Sequence, residues 1–277
     1  MGSATTPSAE SSSGTIKVAA AIAITIAKTT SRAQVADGIT VVATGAVTVL
    51  SSANTEATAM GDGSSTDATE TTGPSVGVAV ALNVANVIND ATIEGTVTAA
   101  FVAVGASMTD VAGDVEHTFG ATAKSGASGA GATVALSLAL NIANVTTTTD
   151  IVSGAEITLT TPGPLVLAVA SNATSIAAAI PNDPDAPGGT GSFGLGASLA
   201  INIVNDKAVA ELESGAVSGV TDLILLASGG HTMETTAIAG ATANGPCTCS
   251  FGRNLGFERA SHRRHLCLVQ PSPSPAT

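Results

Sequence analysis

Four stretches of the chain alternate large apolar and small residues with a period of two. They are Val18–Ala27 (VAAAIAITIA), Val76–Ala85 (VGVAVALNVA), Val134–Ala143 (VALSLALNIA) and Leu195–Val204 (LGASLAINIV). In the second, Val76, Val78, Val80, Leu82 and Val84 share one face, and Gly77, Ala79, Ala81, Asn83 and Ala85 share the other. The third repeats this with Val134, Leu136, Leu138, Leu140 and Ile142 against Ala135, Ser137, Ala139, Asn141 and Ala143. Such alternation is the pleat of a β-strand, not the 3.6-residue period of a helix. The β-branched residues and glycines also disfavour an alanine-rich helix. The large-residue face is expected to be the core face. On that assignment Leu140→Asp buries an unpartnered charge, and Ala139→Asp on the opposite face is milder.

The stretches are copies of one unit. Ile24, Leu82, Leu140 and Ile201 are spaced by 58, 58 and 61 residues, and Gly38, Gly95, Gly154 and Gly215 by 57, 59 and 61. A polar stretch follows each long strand (Asn86–Asp90, Thr146–Asp150, Asn205–Lys207), then a short strand ending in a glycine turn (Ala91–Gly95, Ile151–Gly154, Ala210–Gly215). A further strand is expected at Ala46–Leu50, Phe101–Val104, Leu165–Val169 and Leu223–Leu226. Gly61–Pro74, Gly126–Gly131 and Pro181–Gly191 read as joints between copies. No copy can bury its apolar face alone, so copies must stack into a continuous core. The pattern therefore predicts an all-β fold, a β-solenoid of about four 58–61-residue repeats. Residues 13–244 form the repeat domain, with copies at about 13–72, 73–128, 129–190 and 191–244. At roughly 20–25 residues per rung this makes about ten rungs and a rod of roughly 50 Å. Residues 1–12 are expected to be a disordered polar N-terminus, and 245–277 a disordered or aberrant tail.

Composition sharpens the picture. Hydrophobic residues make up 44% of the chain but aromatics only 2%, with no Trp and no Tyr. A core built from Val, Ile, Leu and Ala must be thin and regular. A net charge of -12 excludes phosphate-neutralising nucleic-acid recognition by the repeat body and suits a solvated extracellular protein. The cysteines, Cys247, Cys249 and Cys267, all fall in the tail, so the repeats hold no disulfide. Met1–Gly14 has no basic n-region, and the apolar run at Val18 recurs inside the chain, so neither reads as a signal peptide. No transmembrane segment is expected. Five Phe cannot supply the aromatic girdles of an outer-membrane barrel.

The most regular polar feature is the set Asn83/Asn86, Asn141/Asn144 and Asn202/Asn205, replaced in the first copy by Thr25 and Lys28. Stacked asparagines that hydrogen-bond along a solenoid, or close its corners, are the structural reading. A ligand groove is the functional one. Asp62-Gly63 and the Pro181–Gly189 loop with Asp183 and Asp185 lack full calcium-loop spacing. Thr146–Thr149 raises an ice-binding reading but lacks a Thr-x-Thr on every rung. His117 and His231 have no patterned partner and read as surface histidines. Cys247, Cys249, His262, His265 and Cys267 fit no zinc spacing. No nucleophile elbow, zincin or phosphate-loop motif occurs. No catalytic, metal or cofactor-binding residue is therefore expected.

The recurring Ala-Leu-Asn-(Val/Ile)-Ala-Asn-Val (Ala81–Val87, Ala139–Val145), Ile-Asn-Ile-Val-Asn (Ile201–Asn205) and the turns at Gly154-Ala155 and Gly215-Ala216 carry a resemblance. The chain resembles the β-strand-repeat passenger regions of very large bacterial surface proteins, the autotransporter-like and haemagglutinin- or leukotoxin-like adhesins. The resemblance covers about Ser13–Asn244. It implies a right-handed parallel β-helix, export to the bacterial surface, and adhesion to host or neighbouring-cell surface molecules. Further repeats of a longer chain are expected. The function so implied is a non-catalytic structural or adhesive module. The alternatives are a polysaccharide-acting β-helix enzyme and an ice-binding solenoid.

Overall fold

The computed structural model describes residues 2–5, 16–65, 73–129, 131–181, 189–213, 215–239 and 241–266. Every regular element among them is a strand. The first copy runs through β2 (Lys17–Val35), β3 (Thr40–Val42), β4 (Ala46–Ala53) and β5 (Glu56–Ser65). The second runs through β6 (Ser75–Ile93), β7 (Thr96–Ala99), β8 (Phe101–Met108) and β9 (His117–Ser128). The third has β10 (Ala132–Ile151) and the long β11 (Glu156–Pro181), and the fourth β12 (Gly189–Leu212) and β13 (Ala216–Ala237). Two strands flank these: β1 (Gly2–Thr5) lies along β5, and β14 (Ala241–Leu266) along β12.

All pairings between these strands are parallel, and each joins equivalent strands of successive copies. β2, β6, β10 and β12 stack in that order. Ile24, Leu82, Leu140 and Ile201 fall in one column, as the sequence alignment places them. On the other sides β3 pairs with β7, β4 with β8 and β5 with β9, and β11 then continues all three. One copy therefore makes one circuit. A layer takes the whole 58–61 residues, not 20–25, and each copy adds only about 4.8 Å to the stack. The ten-rung, 50 Å rod is corrected accordingly.

The long strands do not stop at the polar stretches. Asn86–Asp90 lies inside β6, Thr146–Asp150 inside β10 and Asn205–Lys207 inside β12. What changes there is the pair of faces. Along β6 the inward residues grow from Gly77, Ala79 and Ala81 through Ala85 and Val87 to Ile93. Three packed clusters follow. The first is entirely alanine and includes Ala81, Ala123, Ala139, Ala179 and Ala200. The middle one adds Val87, Val145 and Phe119. The third, at the far end, is built from Val, Ile and Leu such as Ile93, Val104, Ile151, Leu165 and Leu167. The cross-section is a wedge.

This wedge inverts the expected faces. Ala79, Ala81, Ala139 and Ala200 are fully buried, whereas Ile22 is 62% exposed and Leu138 37%. The reason lies in the opposing sheet, whose inward residues are also alanines (Ala57, Ala59, Ala121, Ala123, Ala177, Ala179). Two small-residue faces approach too closely to admit valine or leucine between them. The glycines of Gly61–Pro74 and Gly126–Gly131 serve the same contact. Gly61 and Gly63 lie within β5 and Gly126 within β9, and a Cβ on Gly77 would strike the Gly126 carbonyl. They are packing residues rather than punctuation. Turn glycines exist as well: Gly38 and Gly154 take φ of 72° and 93°, where only glycine is unstrained.

Within the segments expected to be disordered, Gly2–Thr5 runs as a strand, and β14 carries on from Ala241 at the end of the repeat domain through residues 245–266 of the expected tail. The parallel register of β14 with β12 continues that of the earlier copies. Residues 6–15 and 267–277, with Cys267, lie outside the described residues, as does most of the Pro181–Gly189 loop with Asp183 and Asp185.

Candidate functional site

The six asparagines separate onto two faces. Asn83, Asn141 and Asn202 point inward and are fully buried in one column. The Asn83 Nδ2 donates to Asn141 Oδ1 at 2.7 Å, and Asn141 Nδ2 to Asn202 Oδ1 at 2.9 Å. Ser175 joins the ladder, accepting from Asn141 Nδ2 and donating to Asn202 Oδ1, both at 2.7 Å. Asn202 Nδ2 closes it on the carbonyls of Ser175 and Glu234. At the other end Asn83 Oδ1 faces the layer of Thr25, whose hydroxyl donates instead to the Thr58 carbonyl at 2.7 Å. In a low-dielectric interior such a ladder locks the register of successive layers, because a one-residue slip strands every amide. Asn86, Asn144 and Asn205 form the outward column three residues on. They mark the line where the outer face turns from apolar to polar.

Of the two histidines expected on the surface, His231 is half-buried and His117 departs fully from that position. His117 is fully buried at the start of β9, not on the surface. Its Nδ1 accepts the Thr55 backbone N–H at 3.0 Å and its ring stacks on Phe119 with centroids 6.0 Å apart. Burial holds its pKa down at about 4, so it is neutral at physiological pH. His117, Ala173 and His231 share a column, with Ala173 between the two rings. The histidines are thus brought together in the stack but held two layers apart. Among the described residues no group of three His, Cys, Asp or Glu is placed to hold a metal ion.

The sequence reading missed an acidic groove on the polar half of the long-strand sheet. Asp90, Glu94, Asp150 and Glu211 line a hollow of about 320 Å³ with Arg32 and Lys207. Arg32 Nε lies 3.1 Å from Asp90 Oδ2, and Thr148 Oγ1 donates to Asp90 Oδ1 at 2.5 Å. Burial, then the charges of Glu213, Glu211, Asp90 and Glu94, push the Asp150 carboxyl up from 3.8 to about 7. Carrying the repeat alignment past Val145 would have exposed this cluster, because Thr92, Asp150 and Glu211 fall in one column.

A stability effect follows. A raised carboxyl pKa means that the folded state binds more protons than the unfolded chain between pH 4 and 7, so the Asp150 contribution falls as pH rises through that window. Asp150→Asn is therefore expected to match wild type near pH 4. Its advantage should grow up to pH 7 and then stay level, at roughly 1–2 kcal/mol once the partial exposure of the group is discounted. Urea unfolding of both proteins across this range measures it. A pH-independent difference would remove the groove electrostatics.

The run Thr146–Thr149 does not make a threonine array. Thr147 and Thr149 point inward and are buried. The outward columns are mixed: Thr30, Ile88, Thr146 and Lys207 in one, Arg32, Asp90, Thr148 and Val209 in the next.

The other half of the same sheet is an apolar outer face spanning β2, β6, β10 and β12. Val18, Ile22, Ile24 and Ile26 are 51–75% exposed in the first layer, and Leu136, Leu138 and Ile203 are each 37% exposed in later ones. A shallow depression of about 730 Å³ crosses it, lined by Val78, Val80, Leu136, Leu138 and Leu199, with Arg253 of β14 among its lining residues. No family model, curated protein or solved structure matches the chain.

Proposed function

We propose that the chain is a segment of a right-handed β-solenoid that serves as a non-catalytic structural and adhesive repeat module of a secreted or cell-surface bacterial protein. The observation that carries this reading is the in-register stacking of whole copies, with the same columns preserved from β2 through β12. A geometry in which each copy offers the next an equivalent set of strands accepts any number of copies. Repetition also raises the effective concentration of weak binding surfaces, which suits contact with host or neighbouring-cell molecules. The acidic composition, the absence of cysteine from residues 1–246 and the resemblance to adhesin passenger repeats point the same way. No cofactor is needed for this role.

One observation bears on the polysaccharide-acting alternative: four carboxylates converge in the groove around Asp150. The chain nevertheless has no Trp or Tyr on which a sugar ring could stack. The non-catalytic reading is therefore preferred. The mixed outward columns give the ice-binding alternative no support.

Antibody raised to residues 13–244 tests the proposal on intact source cells, by immunoblot before and after mild external protease. A protease-sensitive band far above 26.6 kDa is expected. A protected band near 26.6 kDa would overturn the surface-module reading.

A further inference from the structure

We propose that the apolar outer face of the long-strand sheet is a docking surface for a second copy of this chain, and that two copies pack face to face through it. The inference stands on the geometry of that sheet alone and does not depend on the cell-surface reading.

The face is built of in-register columns. One holds Ile22, Val80, Leu138 and Leu199; the next holds Ile24, Leu82, Leu140 and Ile201; the third holds Ile26, Val84, Ile142 and Ile203. Toward the strand starts the columns of Val18 and Ala20 continue it, and Ile16 and Phe193 are exposed beyond them. In the fifth layer Phe257 of β14, 56% exposed, stands beside Ile203. The column of Asn86, Asn144 and Asn205 bounds the face on the polar side.

Five columns at about 6.7 Å and four layers at about 4.8 Å give roughly 650 Å². A monomer rarely leaves so large a contiguous apolar patch in water. Two such faces bury roughly 1,300 Å² together, at the lower end of the range of a specific, stable interface. The occupant must be flat and largely uncharged, because the columns carry no charge in the four layers of β2, β6, β10 and β12; the fifth layer adds Arg253 beside Leu199. The sheet's own twin meets that requirement, since like sheets pack with aligned strands about 10 Å apart. An anionic membrane does not, for a chain of net charge -12 is repelled by it. Charge also selects the orientation. With strands antiparallel across the interface, the acidic grooves around Asp150 lie at opposite ends of the dimer. With strands parallel they would stand together. The dimer is isologous and closes on itself, as two-fold assemblies do.

Sedimentation equilibrium of the full chain tests this. Wild type is expected to behave as a dimer, twice 26.6 kDa, at micromolar concentration. Leu138→Glu places a charge in the centre of the face and should raise the dissociation constant by about 100-fold or more. Leu50→Glu, which charges an equally apolar side chain 66% exposed on β4, should leave it unchanged. Circular dichroism establishes that each variant is folded. If Leu138→Glu does not fold, Ile22→Glu, at 62% exposure in the first layer, takes its place. A wild-type chain that stays monomeric overturns the proposal. So does self-association that neither variant of the face weakens, which would place the contact on strand edges. Flotation of a monomer with phosphatidylcholine vesicles, lost in Leu138→Glu, would also overturn it and assign the face to lipid.

Discussion

Ala139→Asp is expected to unfold the chain at neutral pH, while Leu140→Asp, one residue on, leaves it folded. Ala139 is fully buried in the alanine cluster, between Ala81 and Ala200 of the adjacent layers. A carboxylate there has no partner and no water. Removing the compensation for a buried charge costs about 3–5 kcal/mol. Forcing a larger side chain into a filled slab costs about 1–3 kcal/mol more. The sum, about 4–8 kcal/mol, is comparable with the stability of an ordinary domain at the lower end of its range of about 5–15 kcal/mol. Leu140 points outward, and its aspartate meets solvent. The loss there is a fraction of one apolar side chain, about 1 kcal/mol. Urea midpoints followed by circular dichroism measure both, at dilutions where the chain is monomeric, because self-association would otherwise add to the apparent stability. A costlier Leu140→Asp would restore the large-residue face to the core and dismantle the wedge.

Gly63→Ala is expected to lower the melting temperature by about 6–12 °C, a loss of roughly 3 kcal/mol or more in a chain of this size. A methyl group on Gly63 would overlap the Val78 carbonyl oxygen, far inside van der Waals contact distance. The obstacle is backbone near the start of β6, held on both edges by β2 and β10, so relief requires three strands to move together. Gly45 is the matched control, since nothing lies within 4 Å of the Cβ it would gain. Gly45→Ala should stay within about 0.5 kcal/mol of wild type or gain slightly from a stiffer unfolded chain. Equal effects at the two sites would mean that the small-residue sheets are not in close contact.

Much of the architecture was legible in the sequence because repetition and pleat are local properties. A period of two identifies strands whatever surrounds them, and the 58–61-residue offset between Leu82, Leu140 and Ile201 reappears as hydrogen-bonded register. That Asn83, Asn141 and Asn202 stack was legible for the same reason, though not that they point inward: identical residues at identical phase must stack if the copies stack. Beyond Val145 the copies stop looking alike, and there the acidic groove escaped notice. Thr92 shares a column with Asp150 and Glu211 without sharing their carboxylate chemistry, and Asp90 lies in the neighbouring column opposite Thr148.

By itself the sequence determined that the chain is all-β, that its copies stack, and which residues share a face of each strand. It could not determine which face is inside. Alternation is symmetric: it divides Ala139 from Leu140 but does not say which of them meets another sheet. That was decided by the residues arriving opposite, the alanines of β5, β9 and β11 and the glycines at 61, 63 and 126, tens of positions away in the chain. Tertiary structure likewise decided the size of a layer. Strand lengths allow a circuit of three short strands or of a whole copy, and only the pairing of β2 with β6 distinguishes them. Closing the larger circuit leaves room for a wedge, filled by valine, isoleucine and leucine at its wide end. At the thin end only methyl groups and bare backbone fit, and the large side chains are left facing out.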